Sequence, residues 1–414
     1  MIQATVLRLR ICLCLAIAYC CVCCGRSDHK GSGQGRQASP LSPVAALGRQ
    51  LFFDPGLSAS GKLACASCHD PRFAYGPSNS RAVQLGGPSL KSQGNRAVPS
   101  LRYTLDRTPR WMHVRAYSEI EQLTETDSVP TGGFTSDGRF NTLRDQATFP
   151  LFAANEMANR NAVELAAKLA HVPYSRAFVV LFGKAIFSNP SQAVAKATEA
   201  LEQFELEDRS FHPFSSRFDA WMDGKAMLTH QEMRGKRLFD DPNRGNCASC
   251  HLDNRGTDGS HPIFTDFQFE GLGVPRNPEI PANANPAFFD MGLCGPLRTD
   301  TASENKAYCG LFKTPTLRNV TSRKVFFHNG RFHSLREALR FYVQRDTNPE
   351  RWYAVTRQGK VRKFDDLPSI YRDNMDVIDS PLTLHPGQMP VWNHRNIDDV
   401  IAFLRTLKDD DVVH

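Results

Sequence analysis

The chain has 414 residues, 41% hydrophobic and 22% charged, and Lys plus Arg outnumber Asp plus Glu by 50 to 43, a formal net charge of +7. That length suggests two or three domains, while a mean hydropathy of −0.39 excludes a polytopic membrane protein. The balance of residue types is that of a globular chain, which excludes wholesale disorder and coiled coil, and cations spread without a long basic run make no case for nucleic acid.

Residues 1–24 read as an export leader: Arg8 and Arg10 precede Ile11 to Val22, an apolar run too short to stay in a bilayer as a helix. Ala16-Ile17-Ala18 offers a small-x-small cleavage site, and a lipoprotein cut acylating one of Cys20, Cys21, Cys23 or Cys24 is the competing reading, although none of the four follows Gly, Ala or Ser. Residues 25–43, rich in Gly, Ser, Gln and Pro, form a flexible tether. Folded structure is expected from Val44, with one domain over 44–224 and a second over 225–414.

Gly48-Arg49-Gln50-Leu51-Phe52-Phe53-Asp54 and Gly235-Lys236-Arg237-Leu238-Phe239-Asp240-Asp241 are variants of one unit, each followed by a C-x-x-C-H motif. The closing histidines, His69 and His251, lie a domain's length apart, so two related domains are the economical reading. Apolar residues at three- and four-residue steps predict helices over Ala162 to Ala170, Gln192 to Leu206, Leu335 to Val343 and Ile397 to Leu407. Strand alternation is rare. Long stretches rich in Gly, Pro and Asn, such as Gly76 to Pro99 and Gly271 to Pro296, are of the kind that wraps a ligand. The predicted fold is mainly α, with two cytochrome c-like domains and long loops between helices.

Six of the 12 cysteines lie in the leader. Cys65-Ala66-Ser67-Cys68-His69 and Cys247-Ala248-Ser249-Cys250-His251 have the spacing of c-type haem attachment, in which two thiols add to the vinyl groups and the histidine ligates iron. Zinc would need further ligands, and a thioredoxin-like disulfide would need a βαβ context that is absent. The remaining pair, Cys294 and Cys309, defaults to a disulfide in an exported protein, worth about 3 kcal/mol by loop entropy.

A chain of this size is far more protein than two haems need for electron carriage alone, so the excess is expected to shape a reaction site. From about 44 to 407 the sequence resembles the bacterial dihaem cytochrome c peroxidase family, which includes MauG. The duplicated haem motifs carry the resemblance, with Asp137-Gly138-Arg139 through Gln146 to Glu156-Met157, and Phe312-Lys313-Thr314-Pro315-Thr316-Leu317-Arg318-Asn319-Val320 through to His328-Asn329-Gly330. It implies two covalently bound haems c and a peroxide site at the N-terminal one, with Gln146, Pro150 and Glu156 on its distal side. Glu156 would shuttle the peroxide proton, Gln146 would orient the peroxide, and Pro150 would present an apolar wall.

Members that need reductive activation carry a blocking histidine sixteen residues after the first motif; Leu85 stands there, and His113 is the reserve candidate. The distal ligand of the second haem falls on Tyr342, fourteen residues after His328, where peroxidases fed by small cytochromes have Met and MauG has Tyr. Ser136 replaces the family's inter-haem Trp, leaving Trp111 as the one oxidisable aromatic nearby. A calcium ion between the domains is a further family feature, whose positions fall on Asn95, Arg323 and Val325.

The resemblance therefore implies a periplasmic peroxidase that reduces hydrogen peroxide with electrons from a small redox protein, a cytochrome c or cupredoxin. The alternatives are a MauG-like oxidase, which turns high-valent dihaem iron on a side chain of a partner protein, and a non-enzymatic electron-transfer cytochrome with both irons fully ligated.

Overall fold

Two helix pairs, one in each half of the chain, place the two C-x-x-C-H motifs. The computed structural model describes residues 40–112 and 130–411; the leader, most of the tether and His113 lie outside the described residues. Helix α1 (Pro43–Phe53) starts on Ser42, whose hydroxyl accepts the Ala45 N–H at 3.1 Å, with proline at the first helical position. Ser42 also donates through its N and Oγ to Glu207, both at 2.8 Å, tying the helix start to the far end of the first half.

After α1, the short helix α2 (Cys65–Cys68) carries the first motif, and a two-residue hairpin follows, β1 (Leu85–Gly86) paired antiparallel with β2 (Ser92–Gln93). Helices α3 (Leu143–Phe152), α4 (Ala162–His171), α5 (Ser175–Phe182) and α6 (Pro190–Glu207) complete the first half. The second half holds α7 (Arg217–Met222), α8 (His230–Asp240), the strand pair β3 (Phe269–Glu270) and β4 (Phe312–Lys313), α9 (Leu335–Gln344) and α10 (His394–Arg405). The four predicted helices form where their periodicity placed them, within a few residues at each end.

The repeated unit has one structural meaning in both halves. In α1, a Cβ on Gly48 would stand 1.8 Å from the Ala200 carbonyl oxygen of α6; in α8, a Cβ on Gly235 would stand 2.0 Å from the Asp399 carbonyl oxygen of α10. Each glycine is thus the crossing point where the motif-bearing helix presses backbone against its partner. The phenylalanines four residues on, Phe52 and Phe239, are buried in two separate cores, one running from Leu47 to Phe211 and the other from Phe218 to Leu407. Core membership changes between Phe211 and Phe218, so α7, ahead of the expected boundary at 224, packs with the second cluster.

A third small cluster of Phe269, Leu293 and Tyr308 packs with Trp111 and Cys294. The halves are joined through buried ion pairs, Arg102 to Asp409 at 2.9 Å and Arg96 to Asp290 at 2.6 Å. From Pro40 onward the chain is one compact unit.

Candidate active site

The two motif histidines are held in the same way. His69 Nδ1 lies 2.9 Å from the Tyr75 carbonyl oxygen, and His251 Nδ1 lies 2.9 Å from that of Phe264. Both acceptor residues are buried aromatics with left-handed backbone, φ 55° at Tyr75 and 58° at Phe264. This conformation is costly for a bulky side chain and persists only where the surroundings impose it. Donation from Nδ1 fixes the tautomer that leaves the Nε2 lone pair for a metal. Desolvation lowers both histidine pKa values to about 4, so the rings stay neutral at physiological pH. Both histidines are half-buried.

The four motif thiols are unpaired and half-buried. Burial pushes Cys65 up to about 12, Cys68 to about 11 and Cys250 to about 12, with Cys247 raised further still. Among the described residues no group of three or more His, Cys, Asp or Glu is placed to hold a metal ion. Two thiols beside a tautomer-fixed histidine, twice over and with no further ligand among the described residues, suit haem attachment better than a four-ligand zinc site.

Glu156 follows α3 and faces the first motif, close enough that its charge raises the Cys68 pKa. Burial raises its own pKa, opposed by the charge of Arg139. Its carboxyl makes no hydrogen bond or ion pair among the described residues, whereas its backbone is clamped by the hairpin. Gly87 N donates to the Glu156 carbonyl at 2.7 Å, and a Cβ on Gly86 would stand 2.3 Å from Asn155 O and 2.8 Å from Glu156 Cα. Leu85, at the blocking-ligand position, precedes that glycine in β1.

Gln146 and Pro150 lie one turn apart in α3, hence on one face. Pro150 removes the N–H that would bond the Gln146 carbonyl. The Gln146 side-chain amide has no partner among the described residues. Thr142 caps this helix through Asp145 N at 3.1 Å.

In the second half, Tyr342 projects from α9 beside the second motif. Burial, then the Cys247 and Cys250 thiols, hold its phenol pKa well above the ordinary value of 10. Between the halves, Ser136 Oγ accepts from Arg96 at 3.1 Å, and Arg96 also holds Asp137 at 2.7 Å and Asp290. His328 stacks on Phe312, centroids 3.5 Å apart and 7° from parallel. Trp111 carries the Arg298 guanidinium on its face at 3.8 Å, and this fixed charge disfavours oxidation of the indole.

Cys294 and Cys309 form a disulfide. Of the calcium positions, Asn95 lines a cleft of about 310 Å³ with Lys91 and Ile280, Val325 is buried, and the Arg323 side chain bonds the Val98 carbonyl at 3.0 Å.

Comparison with known proteins identifies the family of the chain. The family model for di-haem cytochrome c peroxidase matches residues 42–227. The chain is 31% identical to the methylamine utilization protein MauG of Paracoccus denitrificans over 91% of its length and 92% of that protein's. It is 28% identical to the cytochrome c551 peroxidase of Nitrosomonas europaea, covering 74% and 76%. The solved structure of the diheme peroxidase BthA from Burkholderia thailandensis E264 superposes with a TM-score of 0.77 at 37% identity, over 90% of each chain. The chain belongs to the dihaem cytochrome c peroxidase and MauG family, a family of two-haem oxidoreductases.

Sequence reasoning missed Arg139, although its motif was noted. Wedged against Phe149 at 4.5 Å and paired with Asp137 at 2.9 Å, it is the cation that works against the burial of Glu156. It also missed Gly86, which has no sequence signal beyond a Gly-Gly pair. The roles of Arg96 and Asp290 depend on a contact across 194 residues that no local pattern encodes.

Proposed function

We propose that this chain is an exported, periplasmic dihaem c-type peroxidase that takes electrons from a small redox protein, with peroxide chemistry in the crevice of His69. The observation that carries the proposal is Glu156, a desolvated carboxyl with no protein partner, facing the first motif from a backbone clamped by the β1–β2 hairpin. Cys65, Cys68 and His69 would hold a haem here, and that group would supply the redox-active iron for peroxide chemistry. Glu156 takes the proton from the inner peroxide oxygen and returns it to the departing one. Its raised pKa places the carboxyl closer to neutrality, where a proton shuttle works best. Gln146 orients the peroxide through its unused amide, while Pro150 and Leu85 keep an apolar, non-ligating surface around it. The second motif, with Cys247, Cys250 and His251, would hold the haem through which electrons enter or charge is stored.

The test is Glu156→Gln in the holoenzyme, with intact mass to count haems. Both haems should remain attached while peroxide turnover falls about 10² to 10⁴-fold, the scale of a lost acid-base group. Turnover near that of the wild type would remove Glu156 from the mechanism.

Tyr342 favours a second reading, a MauG-like oxidase acting on a partner protein. If iron displaced the proton that burial holds on this phenol, its oxygen would be a hard anionic donor favouring oxidised iron, which suits charge storage better than electron delivery.

A further inference from the structure

Buried cations in this fold are neutralised by acids. Arg102 meets Asp409 and Asp411, Arg318 meets Asp219 at 2.7 Å, Arg345 meets Asp346 at 2.8 Å, and Arg96 meets Asp137 and Asp290. Among the described residues, burial drives three cations below their ordinary pKa: Arg139, Lys313 and Arg323. Arg139 holds Asp137. Lys313 makes no ion pair, yet Asp137 offsets part of its burial and its Nζ donates to the Gly133 carbonyl. Arg323 has no ion pair, and burial is the one influence on it, lowering it to about 10.

Of the five N–H donors in the Arg323 guanidinium, one is used, from Nη2 to the Val98 carbonyl at 3.0 Å. Nη1 lies 3.9 Å from where a Cβ on Gly76 would stand. Val98 precedes Pro99, Gly76 follows Tyr75, and the Tyr75 carbonyl accepts from the His69 ring at 2.9 Å. The charge of Arg323 also helps to lower the His69 pKa. A residue from the half that bears the second motif thus brings a half-buried cation, with no acidic partner among the described residues, beside the backbone that holds His69. Arg323, like His69, is half-buried.

We propose that Arg323 is the anchor for a propionate carboxylate of the haem attached at Cys65 and Cys68. The proposal rests on the haem reading given above. A guanidinium accepts such a carboxylate bidentately, and the pairing supplies the counter-charge that no side chain provides. It also means that the C-terminal half completes the N-terminal haem site, so the two halves share one cofactor environment. Arg323 acts here as a positioning residue and touches no reacting atom.

The experiment compares the wild-type holoenzyme with Arg323→Gln, Arg323→Lys and, as control, Lys324→Gln, whose exposed Nζ donates to the Ser78 carbonyl. The readouts are haem-peptide mass, the propionate bending bands in resonance Raman spectra, and a redox titration of each haem. Arg323→Gln should shift the propionate band and lower the potential of one haem only, the one whose peroxide reactivity Glu156→Gln removes. Arg323→Lys should shift both in the same direction by less than half as much, because a point charge replaces a fork, and Lys324→Gln should match the wild type. An unmoved band and potential in Arg323→Gln with two haems attached overturns the anchor and leaves the haem reading standing. Absence of haem from the Cys65–Cys68 peptide of the wild type overturns both. If Arg323→Gln fails to mature, Arg323→Lys decides: the smaller shift upholds the anchor, and wild-type spectra and potentials overturn it.

Discussion

Glu205 offers the most direct test of the electrostatics of the N-terminal half. It sits in the last turn of α6, 6% exposed, with Oε2 buried and unpartnered. Burial, and to a lesser extent the charge of Glu202, raise its pKa to about 8 from 4.5. A folded-state pKa above the unfolded one means that the native protein binds the extra proton. Stability is therefore full below pH 4.5 and is lost as pH rises through 8. At about 1.36 kcal/mol per pH unit, the rise from 4.5 to about 8 corresponds to about 5 kcal/mol between those limits. Glu205→Gln replaces the neutral acid by a neutral near-isostere and removes this titration. Denaturant unfolding of wild type and variant from pH 4.5 to pH 9 should give curves that nearly coincide at the acid end. They should diverge to several kcal/mol in favour of the variant at the alkaline end. Parallel curves across the whole range would show that Glu205 is ionised in the folded protein and that its burial has been misjudged.

Three further outcomes follow from particular contacts. Gly86→Ala should push the Asn155–Glu156 backbone away, since a Cβ at 2.3 Å from Asn155 O has no room; peroxide turnover should fall at least about tenfold with haem content unchanged, as when a catalytic group is misplaced. Tyr342→Met should raise the reduction potential of the second haem, because a soft thioether favours ferrous iron where an anionic oxygen favours ferric; a methionine-like wild-type potential, unmoved by the change, would mean that another side chain is the ligand. Ser136→Trp should crowd Arg96 and its two aspartates, lowering stability by about 1 to 3 kcal/mol, the usual scale of overpacking, and thermal unfolding at the wild-type midpoint would show that the indole turns outward.

The candidate haem-attachment motifs were legible in the sequence because they are local. A C-x-x-C-H pentapeptide, twice, needs no distant residue to be recognised, and helical periodicity placed α4, α6, α9 and α10 without tertiary information. The repeated Gly-x-x-Leu-Phe unit announced two related halves, yet that Gly48 and Gly235 are helix-crossing points is visible only once α6 and α10 lie against them. Gln146, Pro150, Glu156 and Tyr342 were found by spacing within a known family, and in isolation each would read as an ordinary helix or loop residue.

What only the tertiary structure decided is the environment of these groups. The left-handed carbonyls of Tyr75 and Phe264 fix the histidine tautomers, Arg139 opposes the burial of Glu156, Arg298 sits on Trp111, and Arg323 crosses from one half to lie beside the backbone that holds His69 in the other. Desolvation and charge depend on which groups meet in space. Arg96 and Asp290, 194 residues apart in the chain and bonded at 2.6 Å, belong to no pattern that can be read along it.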